Sequence, residues 1–249
     1  MRDGRVVLVT GGTRGIGRAC VLDAARTGAT VAFCGRNGDW IGPVEREAAA
    51  LGAPGTLGVV ADVSREDDVI RFFDAARDRF GEIHAVIHNA AISRESLLVA
   101  ATDDDVDAVV DTDLTGSFLV VRQAVRAFLE RSSGGRLVLI GTLSQNGARG
   151  NAVYAAAKGG AGELVRVVSD AYGSRGIVAN SVVSGYAKTD LSESLPESAR
   201  RALVEGCPLR RSASPEEIAA VAMFLLSDAG SGIRGQAVFA TGGLLEVPS

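Results

Sequence analysis

Tyr154 and Lys158 are the two residues whose types and spacing most directly suggest chemistry. They stand four positions apart at the predicted start of a helix, so both side chains project from one face. A free phenol has a pKa of about 10 and exchanges protons slowly at neutral pH, but a neighbouring ammonium stabilises the phenolate and lowers that pKa. The pair is therefore a candidate acid–base unit, although the same spacing often arises by chance.

A glycine-rich stretch near the amino terminus predicts a phosphate-binding turn. The apolar run 5–9 leads into Thr10-Gly-Gly-Thr-Arg-Gly-Ile-Gly17, and a helix-compatible segment follows at 18–25. Glycine allows a tight turn and a close approach to a pyrophosphate, and the helix that follows offers unpaired N–H groups and the positive end of its dipole. The stretch indicates a dinucleotide site whose glycine spacing differs from the commonest fingerprint.

Two arginines indicate which dinucleotide this site prefers. Arg36 follows the second predicted strand, where the adenosine ribose would lie, and Arg14 stands inside the glycine turn. An acid after that strand would accept hydrogen bonds from a free 2′-hydroxyl, whereas arginine suits a 2′-phosphate. We therefore expect NADPH rather than NADH; the alternative is two solvated surface arginines.

Strands and helices alternate along the chain and must position these residues. The predicted strands are 5–9, 29–34, 56–61, 83–88, 136–140, 177–183 and 236–240, and the predicted helices are 18–25, 42–51, 64–80, 103–131, 154–172 and 215–227. Ser64 and Ser214 are predicted to cap two of these helices. Apolar strands buried on both faces imply an α/β, Rossmann-type, doubly wound fold: a seven-stranded parallel sheet with helices on both faces. We expect one catalytic domain over residues 1–249.

Ligands of such a sheet bind at the carboxyl ends of its strands. The unusual polar and glycine clusters of the sequence follow predicted strands, at residues 11–17, 36, 62, 89, 141–144 and 184–190. Residues 184–212 form a long, polar, partly helical excursion, which we interpret as a lid over the substrate. Its apolar side chains could line the site or could be ordinary helix packing.

The composition excludes several other classes of protein. A chain of 249 residues with 47% hydrophobic residues and a net charge of −4 is globular and gives no electrostatic case for a nucleic-acid partner. The longest apolar run, 218–226, is too short to span a bilayer, and the first strand leaves no room for a signal peptide, so we expect a cytoplasmic protein with no membrane partner. The three scattered cysteines and the two histidines, His84 and His88, lack the spacing or company of metal ligands, so no metal site is predicted.

Over nearly the whole chain the motifs resemble those of the short-chain dehydrogenase/reductases of the single-domain type. Within that family the chain is most similar to the 3-oxoacyl-carrier-protein reductases and to stand-alone ketoreductases. The matching motifs are Thr10–Gly17, Asp62-Val63, Asn89-Ala90-Ala91, Tyr154–Lys158, Arg175–Asn180, Thr189-Asp190, Ile233–Gln236 and Gly242-Gly243.

The resemblance implies reduction of a ketone by hydride transfer from NADPH. Tyr154 would protonate the developing alkoxide, while Lys158 would hold the nicotinamide ribose and lower the pKa of Tyr154. The implied substrate is a 3-oxoacyl thioester or a related polyketide-type ketone, free or carrier-bound. The implied cofactor-binding residues are Gly11, Thr13, Arg14, Gly15, Ile16, Gly17, Arg36, Asp62, Val63, Asn89, Ala90, Tyr154, Lys158 and Thr189.

Two positions depart from the family pattern. The catalytic asparagine of the family, whose backbone carbonyl helps to hold a water in the proton relay, is Asp113 here. Its carboxylate would favour the ammonium of Lys158 and disfavour a phenolate, so we expect Asp113→Asn to retain activity with a changed pH profile. The family serine that hydrogen-bonds the substrate oxygen falls on Gly141; Thr142, which follows the fifth predicted strand as that serine should, is our first candidate for that role and Ser144 is its rival.

Partners and alternative functions also follow from the resemblance. Members of the family usually form tetramers through two long helices and the last strand, so we expect a homotetramer or a homodimer. Arg131 and Arg175 fall where carrier-protein reductases place basic residues, which makes an acyl carrier protein a candidate partner; the alternative is two solvated side chains. The alternative functions are an NAD(P)-dependent dehydrogenase of a polyol, sugar or other secondary alcohol, and a non-catalytic NADP(H)-binding sensor.

Overall fold

A computed structural model describes residues 4–131, 133–193, 195–245 and 247 of the chain. Seven strands form one parallel sheet, as the sequence predicts. The strands are β1 (Val6–Thr10), β2 (Thr30–Gly35), β3 (Thr56–Val60), β4 (Ala85–His88), β5 (Gly135–Thr142), β6 (Ile177–Ser184) and β7 (Ala237–Ala240). Their order in the sheet is β3-β2-β1-β4-β5-β6-β7. The order reverses between β1 and β4, and parallel sheets bind their ligands beside such a point.

Helices cover both faces of this sheet. They are α1 (Gly15–Arg26), α2 (Ile41–Ala50), α3 (Glu66–Phe80), α4 (Asp103–Val109), α5 (Gly116–Leu129), α6 (Ala152–Tyr172), α7 (Asp190–Glu193), α8 (Glu197–Gly206) and α9 (Pro215–Leu226). Alternate side chains of β1 point to opposite faces. Val7 and Val9 pack against α1, α2 and α9, whereas Val6 and Leu8 pack against α3, α5 and α6.

The long helix predicted at 103–131 is interrupted. A π-helical turn, Val110–Thr115, separates α4 from α5, and α5 ends at Leu129. In this turn the N–H of Gly116 donates to the carbonyl of Asp111, five residues earlier. The wider turn carries Asp113, whose side chain is fully buried, and periodicity alone does not reveal such a turn.

Of the two predicted caps, the structure confirms one. Ser214 and Glu217 form a capping box at the start of α9. Ser64 does not cap α3, which begins two residues later at Glu66, because Asp62 takes up both polar groups of that serine. Asp62 Oδ1 accepts the Ser64 N–H at 3.0 Å and the Ser64 hydroxyl at 2.8 Å.

The excursion predicted at 184–212 contains α7 and α8, and the end of β6 extends into it as far as Ser184. Ser194, which falls within it, lies outside the described residues, as do the ends of the predicted domain at 1–3, 246, 248 and 249 and residue 132. Within the part of the chain that the structure describes, no helix is both long and apolar enough to cross a membrane. The same residues contain no group of three or more side chains suited to hold a metal ion.

Candidate active site

The glycine turn joins the carboxyl end of β1 to α1 with a backbone that side chains would disturb. Gly11 and Gly15 have φ angles of 63° and 53°, in the left-handed region that glycine adopts at no steric cost. A Cβ on Gly17 would lie 2.1 Å from the carbonyl oxygen of Gly11 and 2.5 Å from Nδ2 of Asn89. That Nδ2 donates to the same carbonyl at 3.1 Å. The turn therefore presents backbone rather than side chains to a ligand.

A cavity of about 300 Å³ lies beside this turn, at the carboxyl ends of β1 to β4. The predicted cofactor-binding residues that line it are Gly11, Thr13, Arg14, Gly15, Ile16, Arg36, Asp62, Val63, Asn89, Ala90 and Thr189. Three other residues of that prediction do not line it. Gly17 packs against Gly11 and Asn89, and Tyr154 and Lys158 are buried in α6.

Two positive charges border the cavity, and their surroundings differ. Arg36 is exposed and makes no hydrogen bond or ion pair with any described residue. The guanidinium of Arg14 lies 5.4 Å from the centroid of the Trp40 ring and 3.2 Å from Oδ2 of Asp190 in α7. Arg36 therefore offers its whole charge to an anionic ligand, whereas Arg14 is already partly neutralised.

A buried chain of hydrogen bonds connects the glycine turn to α5. The hydroxyl of Thr10 accepts from the backbone N–H groups of Asn89 and Ala90 at 3.1 and 3.2 Å. It therefore donates to Nδ1 of His88, 2.8 Å away, and the ring proton is assigned to Nε2, which donates to Oγ of Ser117 at 2.9 Å. The hydroxyl of Ser117 donates to the carbonyl of Asp113. Burial, together with the charge of Lys158, lowers the pKa of His88 to about 3, so this imidazole is neutral at neutral pH.

Tyr154, Lys158 and Asp113 form one buried cluster beneath the end of β5. Nζ of Lys158 lies 5.8 Å from the centroid of the Tyr154 ring and donates to the carbonyl of Ile140 at 3.4 Å. Oδ1 of Asp113 accepts the N–H of Ile92 at 2.8 Å. Oδ2 is buried without a hydrogen-bond partner among the described residues and lies 3.9 Å from Nζ of Lys158. The structure thus brings three of the four predicted catalytic residues together.

Burial and the neighbouring charges together set the pKa values of Tyr154, Asp113 and Lys158. Burial raises the pKa of Tyr154, and the carboxylate of Asp113 raises it further. Burial also raises the pKa of Asp113 and lowers that of Lys158, while the attraction between the two acts in the opposite sense on each. In this arrangement burial and the carboxylate of Asp113 outweigh the lowering expected from Lys158, so the pKa of Tyr154 is raised rather than lowered. At neutral pH the phenol is protonated and can act as a proton donor.

The fourth predicted residue, Thr142, ends β5. Its hydroxyl accepts the N–H of Ser144 at 3.3 Å. At the preceding position a Cβ on Gly141 would lie 2.9 Å from Oε1 of Gln145, so Gln145 occupies the space that a serine side chain would need. No hydrogen bond joins Thr142 or Ser144 to Tyr154 among the described residues, and the choice between the two hydroxyls stays a prediction.

The structure does not support a docking role for Arg131. Its side chain is 10% exposed and donates to Glu82, to the carbonyl of Ile83 and to Ser133. These partners precede β4 and β5 and therefore lie at the amino ends of the strands, whereas the cavity lies at the carboxyl ends. Arg175 is exposed and precedes β6, so it also lies at the amino ends of the strands.

Sequence reasoning assigned no role in this site to several residues of the region, among them Trp40, Asp190, His88 and Ser117. Trp40 and Asp190 line the cavity, and His88 and Ser117 form the buried link. Trp40 is the only tryptophan of the chain and stands four residues after Arg36, a position that could have been noticed. Asp190 belongs to a recognised motif, but its pairing with Arg14 spans 176 positions and leaves no trace in the sequence.

The strand order, the glycine turn and the buried Tyr154–Lys158 pair together define a Rossmann-type oxidoreductase. A family model described as "Enoyl-(Acyl carrier protein) reductase" matches residues 11–245. The 3-oxoacyl-[acyl-carrier-protein] reductase FabG of Pseudomonas aeruginosa is 36% identical over 245 residues, which cover 97% of this chain and 98% of that protein. The reductase MabA of Mycobacterium tuberculosis, which bears the same description, is 34% identical over 242 residues, 96% of this chain and 92% of that protein.

Solved structures agree with these relatives. A short-chain type dehydrogenase/reductase from Mycobacterium ulcerans superimposes with a TM-score of 0.94 at 29% identity, covering 99% of this chain and 92% of that one. Levodione reductase superimposes with a TM-score of 0.92 at 31% identity, covering 98% of both chains. The chain belongs to the short-chain dehydrogenase/reductase family. It is an oxidoreductase that acts on CH–OH and C=O groups with an NAD(P)(H) cofactor.

Proposed function

We propose that the protein uses NADPH to reduce a ketone to a secondary alcohol, and that the ketone is a 3-oxoacyl thioester or a related polyketide-type ketone. The observation that carries this proposal is a tyrosine kept protonated beside a buried lysine, next to a glycine-lined cavity bordered by arginine. A protonated phenol suits reduction, because the alkoxide formed from a ketone needs a proton donor. The 3-oxoacyl substrate class is supported by the names of the similar reductases.

The residues around the cavity fit a dinucleotide that carries a 2′-phosphate. The glycine turn leaves backbone N–H groups at the start of α1 for the pyrophosphate, and a Cβ on Gly17 would displace this turn by colliding with the carbonyl of Gly11 and with Asn89. Arg36 supplies a guanidinium that pairs with none of the described residues, where the adenosine ribose would lie. Asp62 and Val63 would contact adenine, and Thr189, which packs against Gly15, would bind the phosphates or the carboxamide.

The chain's own side chains then carry out the proton chemistry. When bound, the reduced nicotinamide supplies a hydride to the carbonyl carbon. Tyr154 donates its proton to the developing alkoxide, Lys158 stabilises the phenolate left behind and holds the nicotinamide ribose, and Thr142 or Ser144 hydrogen-bonds the substrate oxygen. The burial of Tyr154 and Lys158 excludes water and strengthens each of these interactions.

We further propose that residues 1–249 act as one catalytic domain, with 184–212 as its lid. Exposed apolar side chains lie on both long helices and on the last strand: Phe118 is 52% exposed, Val167 62% and Phe239 51%. Such faces suit burial between subunits, which supports a homotetramer or a homodimer. The substrate could be presented by an acyl carrier protein, as the names of the relatives suggest for them.

Cofactor choice is tested by binding, with Trp40 at the cavity as the fluorescent reporter. Replacing Arg36 by aspartate removes charge-assisted hydrogen bonds of about 1.5–3 kcal/mol, so the Kd for NADPH should rise about tenfold to a hundredfold and that for NADH should change less. Arg79→Asp, an exposed charge change at the far end of α3, is the matched control. Equal affinity of the wild-type protein for both cofactors would overturn the NADPH proposal.

Turnover is tested by NADPH oxidation with a panel of ketones that includes an acetoacetyl thioester. The proposal predicts activity that Tyr154→Phe abolishes. Activity confined to polyols or sugars with oxidised cofactor would instead support a dehydrogenase of secondary alcohols. NADPH binding without turnover on any of these compounds would support a sensor.

A further inference from the structure

Asp113 carries an ionisable group into the centre of the catalytic cluster. Its Oδ1 is fixed by the N–H of Ile92, and its backbone carbonyl accepts the hydroxyl of Ser117. Oδ2 has no hydrogen-bond partner among the described residues, is fully buried and lies 3.9 Å from Nζ of Lys158. A buried acceptor without a partner is costly in a stable fold, and this one faces the cation that serves the tyrosine.

We propose that Asp113 is a positioning residue that keeps Tyr154 a proton donor across the neutral pH range and confines alcohol oxidation to more alkaline solution. The inference deepens the proposed function and rests on it. Reduction requires the phenol as donor, whereas oxidation of an alcohol requires the phenolate as acceptor. A carboxylate held in the same dry cluster repels the phenolate, because the low local dielectric strengthens interactions between charges.

The other ionisable groups around Asp113 leave this effect in place. From α6 it faces Lys158, whose ammonium opposes the rise that burial imposes on the pKa of the Asp113 carboxyl group, and its charge acts on the Tyr154 phenol. From β4 it is reached by His88 through Ser117, and that imidazole is neutral. Within its own π-helical turn the nearest acid, Asp111, is exposed. The carboxylate of Asp113 is thus the negative charge that the phenolate would meet.

Asp113→Asn isolates this charge, since asparagine keeps an oxygen for the N–H of Ile92. We expect ionisation of Tyr154 to move to lower pH by about one unit, which is about a tenfold increase in the phenolate-to-phenol ratio at a fixed alkaline pH. The readout is the absorbance of phenolate during a pH titration. The chain has three tyrosines, so subtraction of the matching Tyr154→Phe titration in each background isolates Tyr154. Asp111→Asn removes an exposed charge from the same turn and should leave the titration unchanged.

Kinetics give the second readout. The alkaline limb of ketone reduction and the rising limb of alcohol oxidation should both move to lower pH in Asp113→Asn and stay in place in Asp111→Asn. Identical titrations of the wild-type protein and Asp113→Asn, or an equal shift in Asp111→Asn, would overturn the inference. A shift of the Tyr154 titration in Asp113→Asn, combined with a wild-type protein that turns over no substrate, would refute the proposed function and leave the electrostatic role of Asp113 standing. If Asp113→Asn does not fold, Asp113→Ser, which removes the charge with a smaller side chain, provides the same comparison.

Discussion

Replacement of Gly17 by alanine tests whether the glycine turn requires a residue without a side chain at the point where Gly17 packs against Gly11 and Asn89. The new Cβ would lie 2.1 Å from the carbonyl oxygen of Gly11, 2.8 Å from its carbon and 2.5 Å from Nδ2 of Asn89, whereas carbon atoms in contact stand about 3.5–4.0 Å apart. Two of these three atoms belong to the backbone, which cannot rotate away as a side chain can. Relief therefore requires movement of the turn, and with it loss of the hydrogen bond between Asn89 and Gly11.

The magnitude follows from these contacts. Overpacking of this kind costs about 1–3 kcal/mol, and loss of the hydrogen bond adds about 1 kcal/mol. The higher helix propensity of alanine returns at most about 1 kcal/mol. The net loss is about 2 kcal/mol in the free energy of unfolding, which corresponds to a Tm lower by about 4–8 °C for a chain of this length. The Kd for the cofactor should rise as well, since the shifted turn is the one that would hold its phosphates.

Gly162→Ala in α6 is the matched control for this variant. A Cβ on Gly162 would lie 3.9 Å from Oε1 of Gln145, an ordinary contact, and alanine in a helix interior is more stable than glycine by about 0.5–1 kcal/mol. Thermal unfolding and a titration followed by Trp40 fluorescence measure the two effects for both variants. A Gly17→Ala protein with wild-type Tm and wild-type affinity would refute the reasoning.

Two further predictions concern the buried link and the substrate hydroxyl. Burial lowers the pKa of His88 from its ordinary value of 6.5 to about 3, so below pH 6.5 the unfolded chain binds a proton that the folded chain does not. The free energy of unfolding should therefore fall by about 1.4 kcal/mol per pH unit between about 6.5 and 3. Measured by urea unfolding, this dependence of stability on pH should be weaker in His88→Asn. Equal slopes in both proteins would count against a neutral buried imidazole. Thr142→Val should lower kcat for ketone reduction by about tenfold or more, with recovery in Thr142→Ser; intact turnover in Thr142→Val and its loss in Ser144→Ala would reverse the assignment.

The fold was predictable because its signals are local. Alternating strands and helices, apolar strands and glycine punctuation lie within short windows of sequence, and the seven-stranded parallel sheet follows from them. The π-helical turn at Val110–Thr115 was not predictable, since a single wide turn barely disturbs helical periodicity. The wrong cap at Ser64 has a similar cause, because Asp62 competes for that serine within two residues.

In the candidate site too, features set by local sequence were predictable and contacts between distant segments were not. The residues that line the cavity could be assigned because each follows a predicted strand or belongs to the glycine turn. The bonds that set the behaviour of the site join distant segments, such as Thr10 to His88 or Asp113 to Lys158. Burial decided the direction of the Tyr154 pKa, and the depth at which a side chain is buried is a property of the whole fold rather than of a motif.

The ion pair between Arg14 and Asp190 connects the glycine turn to α7, so binding of a ligand at the turn and the attachment of α7 to it are coupled. A dianionic phosphate that draws on Arg14 competes with Asp190 for the same guanidinium, so ligand occupancy and the attachment of α7 are thermodynamically linked and each weakens the other equally. Both side chains are about half exposed, and pairs of this kind contribute about 0.2–1 kcal/mol. The linkage is therefore a modest one, about fivefold in affinity at most. The residue at position 190, which lines the same cavity, can nevertheless tune how long a ligand stays bound through its ion pair with Arg14.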